Sequence, residues 1–168
     1  MEFKLDSQTK VQPEQTETYM KFRTAIPKPT EEDAHLRHIL RFYIARAMQK
    51  RGLLDIYILP ELALGERKIR VDVVGGAPGN YTIAICEPES VTSETEEILE
   101  LLKDLDGTET IILHSQYGKP GNLVEKFQPQ LESKKFRLLA VVPPPFDDVY
   151  EYDIWMFETT FRDLFAED

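Results

Sequence analysis

A chain of 168 residues, 42% apolar and 30% charged, is long enough and balanced enough for one globular domain with its own hydrophobic core. No apolar run approaches the roughly 18 residues of a membrane span, and the single cysteine, Cys86, excludes an internal disulfide and any multi-cysteine zinc site. The net charge of −10 argues against tight, indiscriminate nucleic-acid binding, whose affinity comes from many Lys and Arg meeting phosphates.

That charge is uneven. Residues 1–80 carry 13 basic and 11 acidic side chains, whereas residues 81–168 carry 7 and 19. A basic surface is therefore expected only in the first part, and the second part should repel polyanions. The N-terminal stretch lacks the apolar middle of a secretory signal, so a cytoplasmic protein is expected.

Residues 1–30 are polar and Pro-punctuated, ending in Ile26-Pro27-Lys28-Pro29-Thr30, and read as an extended arm with a short strand near Tyr19–Arg23. Thr30-Glu31-Glu32-Asp33 has the spacing of a capping box. Leu36, Ile39, Leu40, Tyr43, Ile44, Ala47 and Met48 then recur at helical spacing, and the helix should stop near Arg51 with Gly52 as its C-terminal cap.

Three strands are expected next, at Asp55–Leu59, Lys68–Val74 and Tyr81–Glu87. In the second, Ile69, Val71 and Val73 alternate with Lys68, Arg70, Asp72 and Val74. In the third, Tyr81, Ile83, Ile85 and Glu87 oppose Thr82, Ala84 and Cys86. The connections Leu64-Gly65-Glu66 and Gly75–Asn80 carry turn residues, so these strands read as an antiparallel meander.

Ser93, Glu94, Glu96 and Glu97 open a second helix with apolar positions Ile98, Leu101, Leu102 and Leu105, stopped by Asp106-Gly107. Thr110–His114 reads as a buried strand, Asn122–Ser133 as a helix, and Phe136–Val142 as a last strand ended by Pro143-Pro144-Pro145. The acidic tail is rich in aromatics (Tyr150, Tyr152, Trp155, Phe157, Phe161, Phe165), which suits docking on the body or on a protein partner. The expected organisation is an arm over 1–30, a core over 31–145 and an extension over 146–168. Its fold class is α/β, a mixed sheet flanked by helices.

The order of helix, three-strand meander, helix, strand, helix, strand resembles the PD-(D/E)xK, or restriction-endonuclease-like, nuclease superfamily over residues 31–142. The text that carries the likeness is Arg70-Val71-Asp72-Val73-Val74, a loop, then Ile83-Ala84-Ile85-Cys86-Glu87-Pro88-Glu89. The resemblance implies that Asp72 and Glu87 ligate Mg²⁺ or Mn²⁺ and that a metal-activated water cuts a nucleic-acid phosphodiester. Glu89 stands where the family has its lysine, which makes it an auxiliary acid and leaves Lys68 as the substitute cation. Independently of the family, two carboxylates at neighbouring strand ends, on the non-core face of a hairpin, suit one hard divalent ion. Arg37, Arg41, Arg70 and Lys119 are the candidate nucleic-acid contacts. The alternative is a nuclease-fold scaffold without catalysis that serves as a binding or assembly module. A third reading, a small-molecule-binding α/β domain, needs a deep apolar pocket.

Other candidates are weaker. His35 and His38 lie three apart on the first helix but have no third ligand nearby for zinc. Arg37, Arg41, Arg46, Lys50 and Arg51 suit either phosphate contact or a solvated helix face. Cys86 reads as a small core residue, and with His114 and Ser115 it lacks the G-x-S-x-G elbow of a hydrolase. The glycines at 75, 76 and 79 suit a hairpin, not a phosphate-binding loop, because no Lys-Ser/Thr follows.

Overall fold

The computed structural model describes residues 3–6, 9–11, 32–53, 55–87, 92–115, 122–141 and 162–165. In chain order these form β1 (Phe3–Asp6), β2 (Thr9–Val11), α1 (Glu32–Lys50), β3 (Ile56–Ile58), β4 (Glu61–Leu64), β5 (Arg67–Arg70), β6 (Val73–Ala77) and β7 (Asn80–Cys86). They continue with α2 (Ser93–Leu102), β8 (Thr108–Ser115), α3 (Leu123–Lys126), α4 (Gln128–Glu132), β9 (Phe136–Val141) and β10 (Arg162–Asp163). The fold is α/β: a seven-stranded mixed sheet in the order β10-β9-β8-β7-β6-β3-β2, joined by a three-stranded sheet β1-β4-β5.

The middle of the large sheet is parallel, β7 beside β8 beside β9, and the remaining pairings are antiparallel. Each parallel pair is joined through helices, α2 between β7 and β8, and α3 with α4 between β8 and β9. The expected order of elements across residues 32–141 is therefore present. The meander is present too, as β3, β6 and β7.

Both faces of the large sheet are covered, which the alternation of its strands requires. On one face, Leu40, Tyr43, Ile44, Ala45 and Met48 of α1 pack on Ala84, Cys86, Ile111, Leu113, Leu139 and Val141. On the other, Ile83, Ile85, Ile112 and Leu138 meet Leu99 and Leu102 of α2, Leu123 of α3 and Leu131 of α4. Phe127 and Phe136 meet edge to face there, with centroids 5.4 Å apart. Helix α1 ends as its sequence requires. Gly52 has φ of +88°, its N–H donates to the Gln49 carbonyl, and Leu53 N–H reaches back to Met48, a Schellman pattern. A Cβ at Gly75 would lie 2.9 Å from the Met48 sulfur and 3.2 Å from Leu53 Cδ1, so these side chains pack directly over the glycine and would have to shift for any larger residue.

Three expectations are corrected. Lys68–Val74 is not one strand: β5 belongs to the small sheet and β6 to the large one, with Val71 and Asp72 at the crossing. The partner strand crosses at the same level, where Leu59 N–H donates to the Asp72 carbonyl and Val71 N–H donates to the Pro60 carbonyl. Leu59 takes φ of 52°, and Pro60, which lacks an N–H, helps close off β3, so Glu61–Leu64 forms an additional strand. Ile69 and Val71 consequently join the core on the α2 side while Val73 faces α1. Second, the segment 122–133 is two short helices, because Pro129 sits at the start of α4 and cannot continue α3. Third, the glycine-rich connection is mostly strand. Gly75, Gly76 and Ala77 belong to β6, and only Pro78-Gly79 make the turn.

The first eleven residues supply β1 and β2, which pair with β4 and β3 respectively. Near the other end β10 pairs with β9, and Leu164 and Phe165 pack against the α2-side core. The expected strand at Tyr19–Arg23 and the aromatics from Tyr150 to Phe161 lie outside the described residues. Among the described residues no helix is long and apolar enough to cross a membrane.

Candidate active site

The crossing at Val71-Asp72 lies beside the carboxyl end of β7, the edge at which open α/β sheets carry their sites. Asp72 N–H still donates to the Ala84 carbonyl at 3.2 Å, which holds its backbone on the ladder. Its Oδ2 accepts the Cys86 N–H at 2.7 Å. Its Oδ1 accepts from Arg41 Nε at 2.6 Å and lies 3.3 Å from Arg37 Nε. One carboxylate thus ties α1 to two strands, and Asp72 is only 3% exposed.

Glu87 follows β7 directly, with its N–H donating to the Leu113 carbonyl at 2.9 Å. Its Oε1 accepts from Arg37 Nη2 at 3.0 Å and from Thr95 Oγ1 at 2.7 Å. Thr95 is in place because α2 starts there: Thr92 is the N-cap, and its hydroxyl accepts the Thr95 N–H at 3.2 Å. Glu87 is 6% exposed. Both acids are therefore buried, which corrects the expectation of an open, non-core hairpin face. The reason is that α1 and α2 close over this end of the sheet.

The acids border a cavity of about 300 Å³, also lined by Arg37, Arg41, Arg70 and Glu94. Burial opposes the charge of Arg37, but Asp72 and Glu87 outweigh it and raise its pKa. Burial also raises the pKa of Glu87, with Asp72 adding to it and Thr95 and Arg37 opposing it. Cys86 is fully buried and packs in the core on the α1 side, and burial together with Asp72 pushes its thiol well up.

The structure brings together five of the residues singled out in the sequence: Asp72, Glu87, Arg37, Arg41 and Arg70. Arg37 and Arg41 are engaged with the acids themselves. Arg70 donates to the Leu59 carbonyl at 2.6 Å and lies at the mouth, more than half exposed. Lys68 does not join them. It stands on β5, its side chain is 71% exposed, and its ammonium lies 3.8 Å from Glu61. The substitution of Lys68 for the family's lysine is thus corrected: the β5–β6 break carries it onto the small sheet, and α1 supplies the cations instead. Glu89 and Lys119 lie outside the described residues, as do the side chains of His35, His38 and Arg46. Thr95 was missed, although its spacing from Thr92 at a helix start is a readable signal.

Two convergent carboxylates fit a hard divalent ion, which needs one or two such ligands plus waters and a phosphate oxygen. The geometric support is that Asp72 and Glu87 already share a single cation, the guanidinium of Arg37. Among the described residues no three His, Cys, Asp or Glu side chains cluster as a metal cage.

His114, beyond Leu113 on β8, is completely buried, and among the described residues neither ring nitrogen makes a hydrogen bond of good geometry, although the Glu87 backbone lies near enough to act on it. Burial lowers its pKa below the usual 6.5, with a weaker opposing pull from the Glu87 backbone. The unfolded chain therefore takes up this proton first as pH falls below about 6.5, and stability declines from there until the folded value is reached. His114→Leu is expected to flatten that decline in urea denaturation between pH 7.5 and 5. An unchanged pH slope would assign the acid sensitivity elsewhere.

No family model matches the chain, and no curated protein does. Among solved structures, the crystal structure of protein VC1899 from Vibrio cholerae aligns with a TM-score of 0.42 at 15% identity, covering 83% of this chain. The chain spans 41% of that protein's length.

Proposed function

We propose that this chain is a nuclease-like protein of the PD-(D/E)xK superfamily that hydrolyses nucleic-acid phosphodiester bonds with Mg²⁺ or Mn²⁺ held by Asp72 and Glu87. The observation that carries the reading is the convergence of these two buried acids, from neighbouring strands, on one shared cation at the carboxyl edge of the sheet. A divalent ion bound there would supply a Lewis acid for the phosphodiester and a bound water of lowered pKa.

The charges around the cavity support the same reading. Arg37, Arg41 and Arg70 balance Asp72, Glu87 and Glu94, so the cavity alone offers a phosphate no net attraction. A divalent ion would make it positive. Arg70, which also lines the cavity, would on this reading orient a phosphate group, while Thr95 and the Cys86 N–H hold the two carboxylates in position. On this reading the protein works in the cytoplasm, with nucleic acid as its partner; the acidic aromatic tail is the candidate surface for a protein partner.

A second reading, a nuclease-fold scaffold that binds without cutting, is favoured by one observation: two guanidiniums already neutralise the two acids, and Lys68 is elsewhere. The deciding experiment incubates single- and double-stranded DNA and RNA with Mg²⁺ or Mn²⁺ and wild type, Asp72→Asn or Glu87→Gln. Metal-dependent cutting by wild type, lost in both variants, is the expected result. A folded wild type that cuts none of the four substrates would make the scaffold the better account.

A further inference from the structure

We propose that Arg37 is an exchangeable counter-ion of the site: its guanidinium occupies the place a divalent cation takes between Asp72 and Glu87, and the two compete for the same carboxylates. The inference rests on the nuclease reading above and concerns how that site is governed. It starts from a difference between the two arginines of α1. Among the described residues Arg41 is paired with Asp72, at 2.6 Å, and its side chain is 15% exposed. Arg37 touches both acids, at 3.3 and 3.0 Å, and its side chain is 39% exposed. Arg41 is therefore the fixed partner that neutralises one acid and pins α1 to the sheet. Arg37 bridges the pair and is the more exposed of the two arginines.

Arg37 Nη2 donates one hydrogen bond, to Glu87, whereas among the described residues its buried Nε makes none and is held toward Asp72 by charge. Holding by charge is the kind of contact another cation can replace. Without an ion, Arg37 prevents the like-charge repulsion of Asp72 and Glu87 from opening the site. With an ion in place, Arg37, Arg41 and the divalent cation would bring four positive charges to two carboxylates, and the repulsion favours departure of the Arg37 guanidinium into the cavity. There it joins Arg70 in facing an incoming phosphate.

The test is the affinity for Mn²⁺ measured by calorimetry, without nucleic acid, for wild type, Arg37→Gln, Glu87→Gln and the double variant. Circular dichroism melts establish that each is folded, and Arg37→Lys serves if Arg37→Gln is not. Removing the competing charge is expected to tighten Mn²⁺ binding by about tenfold or more, and Arg37→Lys, which keeps the charge on a shorter stem, should fall between. Glu87→Gln should abolish binding, alone and combined with Arg37→Gln. If wild type binds Mn²⁺ through Glu87 but Arg37→Gln binds it equally or more weakly, the exchange is wrong and the metal site stands. If neither wild type nor Arg37→Gln binds, the metal site itself is wrong, and the exchange falls with it.

Discussion

Asp72→Ala should be the most damaging single change in this protein, costing about 3–5 kcal/mol of folding stability, on the scale of breaking a buried ion pair from one side. The carboxylate is 3% exposed and accepts from two donors, Arg41 Nε of α1 and the Cys86 N–H at the end of β7, with the Arg37 guanidinium 3.3 Å away as a second counter-charge. Alanine leaves that N–H without its acceptor and leaves Arg41, itself largely covered, without a counter-charge. Both losses carry the full desolvation penalty of the orphaned group.

Asp72→Asn keeps an acceptor in place and should lose less, which makes it the better variant for functional work. Urea denaturation of both variants checks the prediction. A cost below about 1 kcal/mol for alanine would mean that solvent screens the cluster as it does a surface pair. The cluster is also testable as a unit: Asp72→Ala and Arg41→Ala share one contact, so their costs should add to more than the double variant loses.

Much of this arrangement was legible because periodicity follows burial. The helix over 32–50, the strand over 80–86 and the two parallel strands after it all announce themselves by apolar spacing, and the structure contains each of them. Ile83 and Ile85 do face away from Ala84 and Cys86, as alternation requires. What the pattern could not carry was the break at Val71-Asp72. Lys68 to Val73 alternates straight through the break, and only tertiary contacts, the pull of Arg41 and the Cys86 N–H on the carboxylate, reveal that two sheets meet there.

The same limit governs the site. Position in sequence identified Asp72 and Glu87 as a pair, but the cation beside them was sought on the neighbouring strand, at Lys68. It comes instead from a helix about thirty to fifty residues earlier, a separation visible in the Arg41–Asp72 and Arg37–Glu87 bonds. Nothing local in a sequence marks such a partner. Arginines spaced like those of α1 more often mark a solvated face, and only the fold turns two of them inward.

Glu87→Gln should separate function from stability, abolishing metal-dependent cutting while leaving the fold as stable as wild type or more so at neutral pH. Glutamine is nearly isosteric and keeps an oxygen for Thr95 Oγ1 and Arg37 Nη2. It removes a charge whose burial is unfavourable, the reason the Glu87 pKa is raised above its usual 4.5. A carboxyl with a raised folded pKa makes the charged state a cost above that pKa; as pH falls through it toward the unfolded value near 4.5, the wild type regains the deficit. The advantage of the variant should therefore be largest at neutral pH and fade on acidification. Because His114 contributes equally to both proteins, the difference between them isolates Glu87. Cutting should fall by at least about 100-fold, the scale of losing a group that stabilises transition-state charge. The opposite pattern, a destabilised variant with cutting retained, would make Glu87 a structural brace between β7 and α2, and the metal would have to be sought at other oxygens of the cavity.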